Sequence, residues 1–140
     1  DKNILERKME RFLPILDVIQ TRLRDILSRN ESYMLSWDMA NIDNVGEELI
    51  RLSLDVYRPL MDAQHRVLSL SLREAGLGIK DRVFEIQNRR LEEKDKEYFR
   101  SVHEALRNIC EKIETGEYYE ALLRVAAKSE RIRREEDYVT

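Results

Sequence analysis

Only four glycines, two prolines and three threonines occur in 140 residues, while Leu, Glu, Arg and Ala are plentiful, a composition that favours helix over sheet. A single cysteine, Cys110, excludes an internal disulfide, and with it a stapled secreted scaffold; a reducing, cytoplasmic compartment is the expectation. No stretch approaches the roughly 20 apolar residues that a bilayer-spanning helix needs. No basic segment leads into an apolar run with a small-residue cleavage site. An excess of positive charge is also lacking: 25 basic and 28 acidic side chains leave a net charge of -3. Nucleic acid is therefore a poor partner, because counterion release needs clustered Lys and Arg. There is no CxxC, no phosphate-cradling glycine loop and no Ser/His/Asp arrangement. The chain opens on Asp1-Lys2-Asn3 rather than on a methionine, and is expected to be part of something longer.

What is present reads as helix throughout. Hydrophobic residues make up 42% and charged ones 38%, enough for one core under a charged surface, so residues 1–140 are read as a single domain. Apolar residues step by three or four along the chain, the spacing of an inward-facing helical stripe. The first stripe runs Leu5, Met9, Phe12, Leu16, Ile19, Leu23, Ile26, with Pro14 either kinking it or opening a new helix. Asn30-Glu31-Ser32 is expected to turn. A second stripe, Met34 to Leu60, meets Pro59 near its end. Gly76-Leu77-Gly78 is expected to break the chain. Beyond it, Ile79, Val83, Ile86, Tyr98, Val102, Leu106, Ile109 and Ile113 recur through a charged stretch, Arg89 to Glu97, expected to stay helical. Thr115-Gly116 ends that segment, and a last helix buries Tyr118, Leu122, Val125, Ser129 and Ile132. The expected architecture is all-α: an elongated antiparallel bundle of four to six helices, some of roughly 25–40 residues.

The most unusual polar cluster is Asp38, Asn41, Asp43, Asn44, Gly46, Glu47 and Glu48. Asp43 and Glu47 sit four apart, one turn up the same helix face, where like charges repel unless a cation lies between them. A divalent or ferric ion, or an Arg from a neighbouring helix, would serve. Gly46 in mid-helix costs about 0.5–1 kcal/mol relative to Ala, which a closely approaching backbone or ligand would explain.

Ile42-Asp43-Asn44-Val45-Gly46-Glu47 resembles the Leu-Glu-Arg-Ile-Gly-Asp signature of PhoU-like domains. These are helical modules of phosphate-uptake regulators and of the cytoplasmic ends of bacterial sodium/phosphate cotransporters. The apolar, acidic, apolar, glycine and acidic positions match in type, and Asn44 replaces the Arg. A partial echo, Ser129-Glu130-Arg131-Ile132, has Arg134 where its second acid would stand. The resemblance implies a regulatory domain that contacts a protein partner, tethered to a membrane through another segment, with metal bound at Asp43 and Glu47.

Other constellations are thinner. Asp62 and His65 make half of a di-iron carboxylate motif whose second half is missing. His103 on a charged helix would suit a phosphotransfer domain if fully exposed. Cys110 reads as a buried structural thiol. The basic run from Arg124 to Arg134 is interleaved with acids and complements a helix C-terminus. A ligand-free oligomerisation or partner-binding bundle is the alternative reading, with an apolar patch expected around Trp37, Tyr118 and Tyr119.

Overall fold

The computed structural model describes residues 4, 6–7, 10–57 and 66–139. Leu5, Met9, Pro59, Leu60, Asp62 and His65 lie outside them. Among the described residues there are five helices and no strand: α1 Leu13–Ser36, α2 Met39–Tyr57, α3 Arg66–Ile86, α4 Glu93–Glu114 and α5 Glu117–Val139. The all-α bundle expectation holds, with helices of 19 to 24 residues, shorter than the longest foreseen.

The apolar stripes explain the packing. Phe12, just before α1, and Leu16, Ile19, Leu23 and Ile26 on it share one core with Ile42, Val45, Leu49, Leu52 and Val56 on α2, Leu68, Leu72, Ile79, Val83 and Ile86 on α3, and Phe99 and Leu106 of α4. Contacts run from α1 to α2 and α4, and from α3 to α2 and α4, closing a four-helix ring; α5 leans on α4. Only the first half of α5 is anchored, through Leu122 and Ala126. Val125 and Ile132, expected inside, are exposed, Ile132 because it lies beyond that anchor.

Pro14 opens α1 in its first turn, where a missing N–H costs nothing. The turn expected at residues 30–32 does not form. Asn30 is buried within α1, and the helix runs on to Trp37, whose backbone is left-handed at φ 53° and ψ 47°. Its N–H and that of Asp38 both reach the Tyr33 carbonyl, and its ring packs against Phe99 with Lys96 and Arg100 over its face. An aromatic anchor, rather than a glycine, thus reverses the chain here.

Two further expectations are overturned. Gly76 and Gly78 lie inside α3, which passes through both without a break. A Cβ at Gly76 would stand 2.6 Å from the Gly46 carbonyl oxygen, and one at Gly46 would stand 2.9 Å from that of Gly76. The glycines let two backbones touch. Conversely, the charged stretch from Arg89 is not continuous helix: α3 stops at Ile86, and α4 starts afresh at Glu93. Glu92 and Asp95 form a reciprocal capping box there. The break expected at Gly116 is present, at φ +80°.

Candidate functional site

The acidic face of α2 starts with its own cap. Asp38 Oδ1 accepts the N–H of Asn41 at 3.2 Å, and Oδ2 accepts the Asn41 amide at 2.6 Å. One turn on, Asp43 and Glu47 project towards α3, as their spacing requires. The cation between them is Lys80, carried by α3 past the Gly46–Gly76 crossing. Its ammonium donates to Glu47 Oε2 at 2.6 Å and lies 3.8 Å from Asp43 Oδ2. The hydrogen bond from Lys80, then its charge, holds the Glu47 carboxyl below the usual carboxylate range; the same bond raises the Lys80 ammonium. Glu48 points the other way, both of its oxygens accepting from Nη1 of Arg29 on α1, Oε2 at 2.8 Å and Oε1 at 3.0 Å.

Between these pairs lies a shallow polar cleft of about 290 Å³, lined by Arg29, Tyr33, Asn41, Asn44, Glu47, Glu48 and Arg51. Its charges are already matched across helices. A hard divalent ion takes six or more oxygen ligands. Two half-exposed carboxylates with an ammonium 2.6 Å from one of them do not fit such an ion while Lys80 stays. Among the described residues no group of three or more His, Cys, Asp or Glu side chains is placed to hold a metal.

A second polar centre was not signalled by the sequence. Asp95, fully buried at the start of α4, accepts two bonds from Arg89 at 2.7 and 2.9 Å, one from Arg82 at 3.2 Å and the Glu92 N–H at 2.9 Å. The Arg89 hydrogen bonds hold its carboxyl far below the carboxylate range, outweighing the opposing cost of burial. The cluster ties the end of α3 and the intervening turn to α4, leaving no oxygen free for a ligand.

His103, on α4, is half-buried rather than fully exposed, and its Nδ1 lies 2.9 Å from the Asn30 amide nitrogen on α1. With that amide donating, Nδ1 is the acceptor and the proton sits on Nε2. Burial lowers the imidazole below its ordinary range. Cys110 is buried as expected, and desolvation raises its thiol above the ordinary range. Trp37, Tyr118 and Tyr119, around which an apolar patch was expected, are partly buried and packed against the core. Among the described residues, Glu130 of the downstream echo pairs with Arg133 and Arg134 of its own helix, at 3.8 and 4.0 Å.

The exposed apolar residues concentrate elsewhere: Val67, Leu70, Leu77 and Phe84 lie outward on α3. Along the α1–α2 groove, Pro14, Ile15, Val18, Leu52 and Val56 line a second hollow, also of about 290 Å³. No helix among the described residues is long and apolar enough to cross a membrane. No protein-family model, characterised protein or solved structure matches the chain.

Proposed function

We propose that this chain is a non-enzymatic interaction domain of regulatory type, acting through the outer face of α3 in a reducing, cytoplasmic setting. One contrast carries the reading. The groups with chemical potential close on one another, as Asp43 and Glu47 do on Lys80 and Asp95 does on two arginines, whereas the apolar side chains of α3 stay open to solvent. A photo-crosslinking residue at position 77 is expected to give adducts with a protein chain in the producing cells, and one at the exposed position 104 is not. Adducts are to be identified by mass spectrometry; equal labelling at both positions, or none at 77, would remove the reading.

The phosphate-transport context implied by the resemblance to PhoU-like domains is a second reading, supported by the convergence of Asp43 and Glu47 on one cationic point. Its metal arm has a sharp test. An ion at one hundred times its Kd adds about 2.7 kcal/mol of stability, several degrees in Tm for a chain of this size. Because Lys80 already fills the position, Mn²⁺, Ni²⁺ or Fe³⁺ is expected to leave the wild-type Tm unchanged within about 1 °C, on that same scale. A rise abolished by Asp43→Ala with Glu47→Ala would restore the metal.

A further inference from the structure

We infer that Asn30 and His103 form a proton-driven switch between α1 and α4: the neutral imidazole accepts from the Asn30 amide nitrogen, and the imidazolium turns that amide end for end to bond its oxygen. The switch is independent of the part played by the α3 face.

The contact is built on one rotatable group. Asn30 is only 4% exposed within α1. Its Nδ2 lies 2.9 Å from His103 Nδ1 and 3.2 Å from Met34 Sδ, so both amide hydrogens have a partner. Its Oδ1 is buried as well, and accepts no hydrogen bond among the described residues. A buried acceptor without a partner is costly, and this one sits on the same group as the donor that holds the histidine.

When Nδ1 takes a proton from solvent, its N–H faces the N–H of Asn30, and two donors cannot bond. Turning the amide by about 180° about its Cβ–Cγ bond exchanges Oδ1 for Nδ2. The two groups are close to the same size, so neither helix has to move. Oδ1 then accepts from Nδ1–H, and a charge-assisted bond of this kind is roughly twice as strong as a neutral one. In exchange, Nδ2 takes the oxygen's buried place and the Met34 contact is lost. Each position thus leaves one buried polar atom unmatched, and neither is locked.

The surroundings admit the proton and set the balance. His103 lines a hollow of about 340 Å³ between α1 and α4, shared with Arg24 and Glu31 of α1 and with Arg107, Cys110, Glu111 and Glu114 of α4. Arg24 is tied to Glu114 at 2.6 Å, and Arg107 to Glu111 at 3.5 Å and Glu104 at 3.8 Å. Glu31 makes no ion pair among the described residues, and its charge is left to favour the imidazolium. Burial holds the imidazole below its ordinary range, against the pull of Glu31 and Glu104 and with the help of Arg107. The turn therefore comes below about pH 6.5.

The test is an NMR titration of His103 in the full chain carrying His65→Gln, which leaves one imidazole to follow. Above the midpoint the ring proton is expected on Nε2, and the Asn30 amide signals should shift with the same midpoint as the ring. Asn30→Leu then fixes the direction, because leucine fills similar space and offers neither donor nor acceptor. Its loss of the stronger, charge-assisted bond should weaken proton binding at His103 by about threefold or more. An amide fixed with its nitrogen against the ring would repel the imidazolium, and the same variant would bind the proton more tightly. Proton binding in Asn30→Leu as tight as in its parent or tighter overturns the inference. So does a proton on Nδ1 above the midpoint, or an Asn30 amide that ignores the titration. Those last two readings need no change at position 30, so they decide the matter even where Asn30→Leu fails to fold.

Discussion

Gly76→Ala is expected to destabilise the bundle by about 2 kcal/mol, although alanine gains roughly 1 kcal/mol over glycine in helix propensity. The new methyl would stand 2.6 Å from the Gly46 carbonyl oxygen and 2.8 Å from Ile50 Cγ1. Overpacking a core with flexible neighbours costs typically about 1–3 kcal/mol, but a backbone carbonyl cannot rotate away. The helices have to separate, and separation loosens Val45, Leu49, Ile79 and Val83, all buried in the shared core. The steric cost therefore exceeds the propensity gain. Gly76→Leu, needing a wider gap, should cost about 4 kcal/mol or more, at the large-effect end of single substitutions. Gly78→Ala supplies the contrast within the same helix. Its methyl would meet only the hydroxyl end of Tyr98, a side chain tip that can shift, so propensity and crowding roughly cancel to within about 0.5 kcal/mol. Urea denaturation of the three variants separates the cases. Gly76→Ala as stable as the wild type would show that the α2–α3 approach is looser than its backbone spacing implies.

The contrast between these glycines also marks where sequence reading works. Apolar spacing identified the inward faces of α1 and α2 almost residue by residue, from Phe12 to Ile26 and from Ile42 to Val56, because a stripe belongs to one helix and needs no knowledge of its neighbour. Pro14 and Gly116 act locally, one through a missing donor and the other through a positive φ; Gly116 was placed correctly, and of the two roles left open for Pro14 the helix start is the one present. Gly76 failed because a helical glycine carries the same letter whether it ends a helix or admits another backbone. Gly46 was half-read: its cost pointed to a close neighbour, and that neighbour is Gly76. The one-turn pairing of Asp43 and Glu47 was legible for the same local reason. Their cation was not, since Lys80 lies 33 residues beyond Glu47, and only the crossing brings it there. The turn after Ile86 was missed because its stability comes from Asp95, a buried acid whose arginines lie on other segments. The burial of α5 was overestimated because periodicity tells which face is apolar, not how far along the helix a partner extends.

Asp95→Asn should lower Tm by roughly 10 °C near neutral pH, because removing one member of a buried ion cluster leaves the others charged and partly desolvated. Asparagine preserves the shape and can still accept the Glu92 N–H, so the loss reports charge rather than a lost cap. What remains is the two guanidiniums of Arg82 and Arg89, whose side chains are only 26% and 30% exposed, with the Glu92 carboxylate, 3.9 Å from Arg89, as a distant counter-ion. The pH dependence fixes the cause. The Asp95 carboxyl titrates lower in the folded chain than in the unfolded one, so the unfolded state binds the extra proton first as pH falls. The stabilisation is complete above the unfolded value of about 3.9 and is lost progressively as pH drops towards the folded value. Thermal melts from pH 7 to pH 2.5 should therefore show the Tm gap between wild type and Asp95→Asn constant down to about pH 5, then narrowing with further acid. A gap that persists unchanged to pH 2.5 would mean that the side chain acts by packing alone. Arg89→Met should produce the same narrowing with a smaller gap at neutral pH, since Arg82 and the Glu92 N–H still hold the carboxylate. Because Arg82 also stacks over the Tyr98 ring, 4.4 Å from its centroid, and a methyl at Gly78 would press on the Tyr98 hydroxyl, Asp95→Asn and Gly78→Ala share a neighbour. Combined, they should lower Tm by more than the sum of their separate effects.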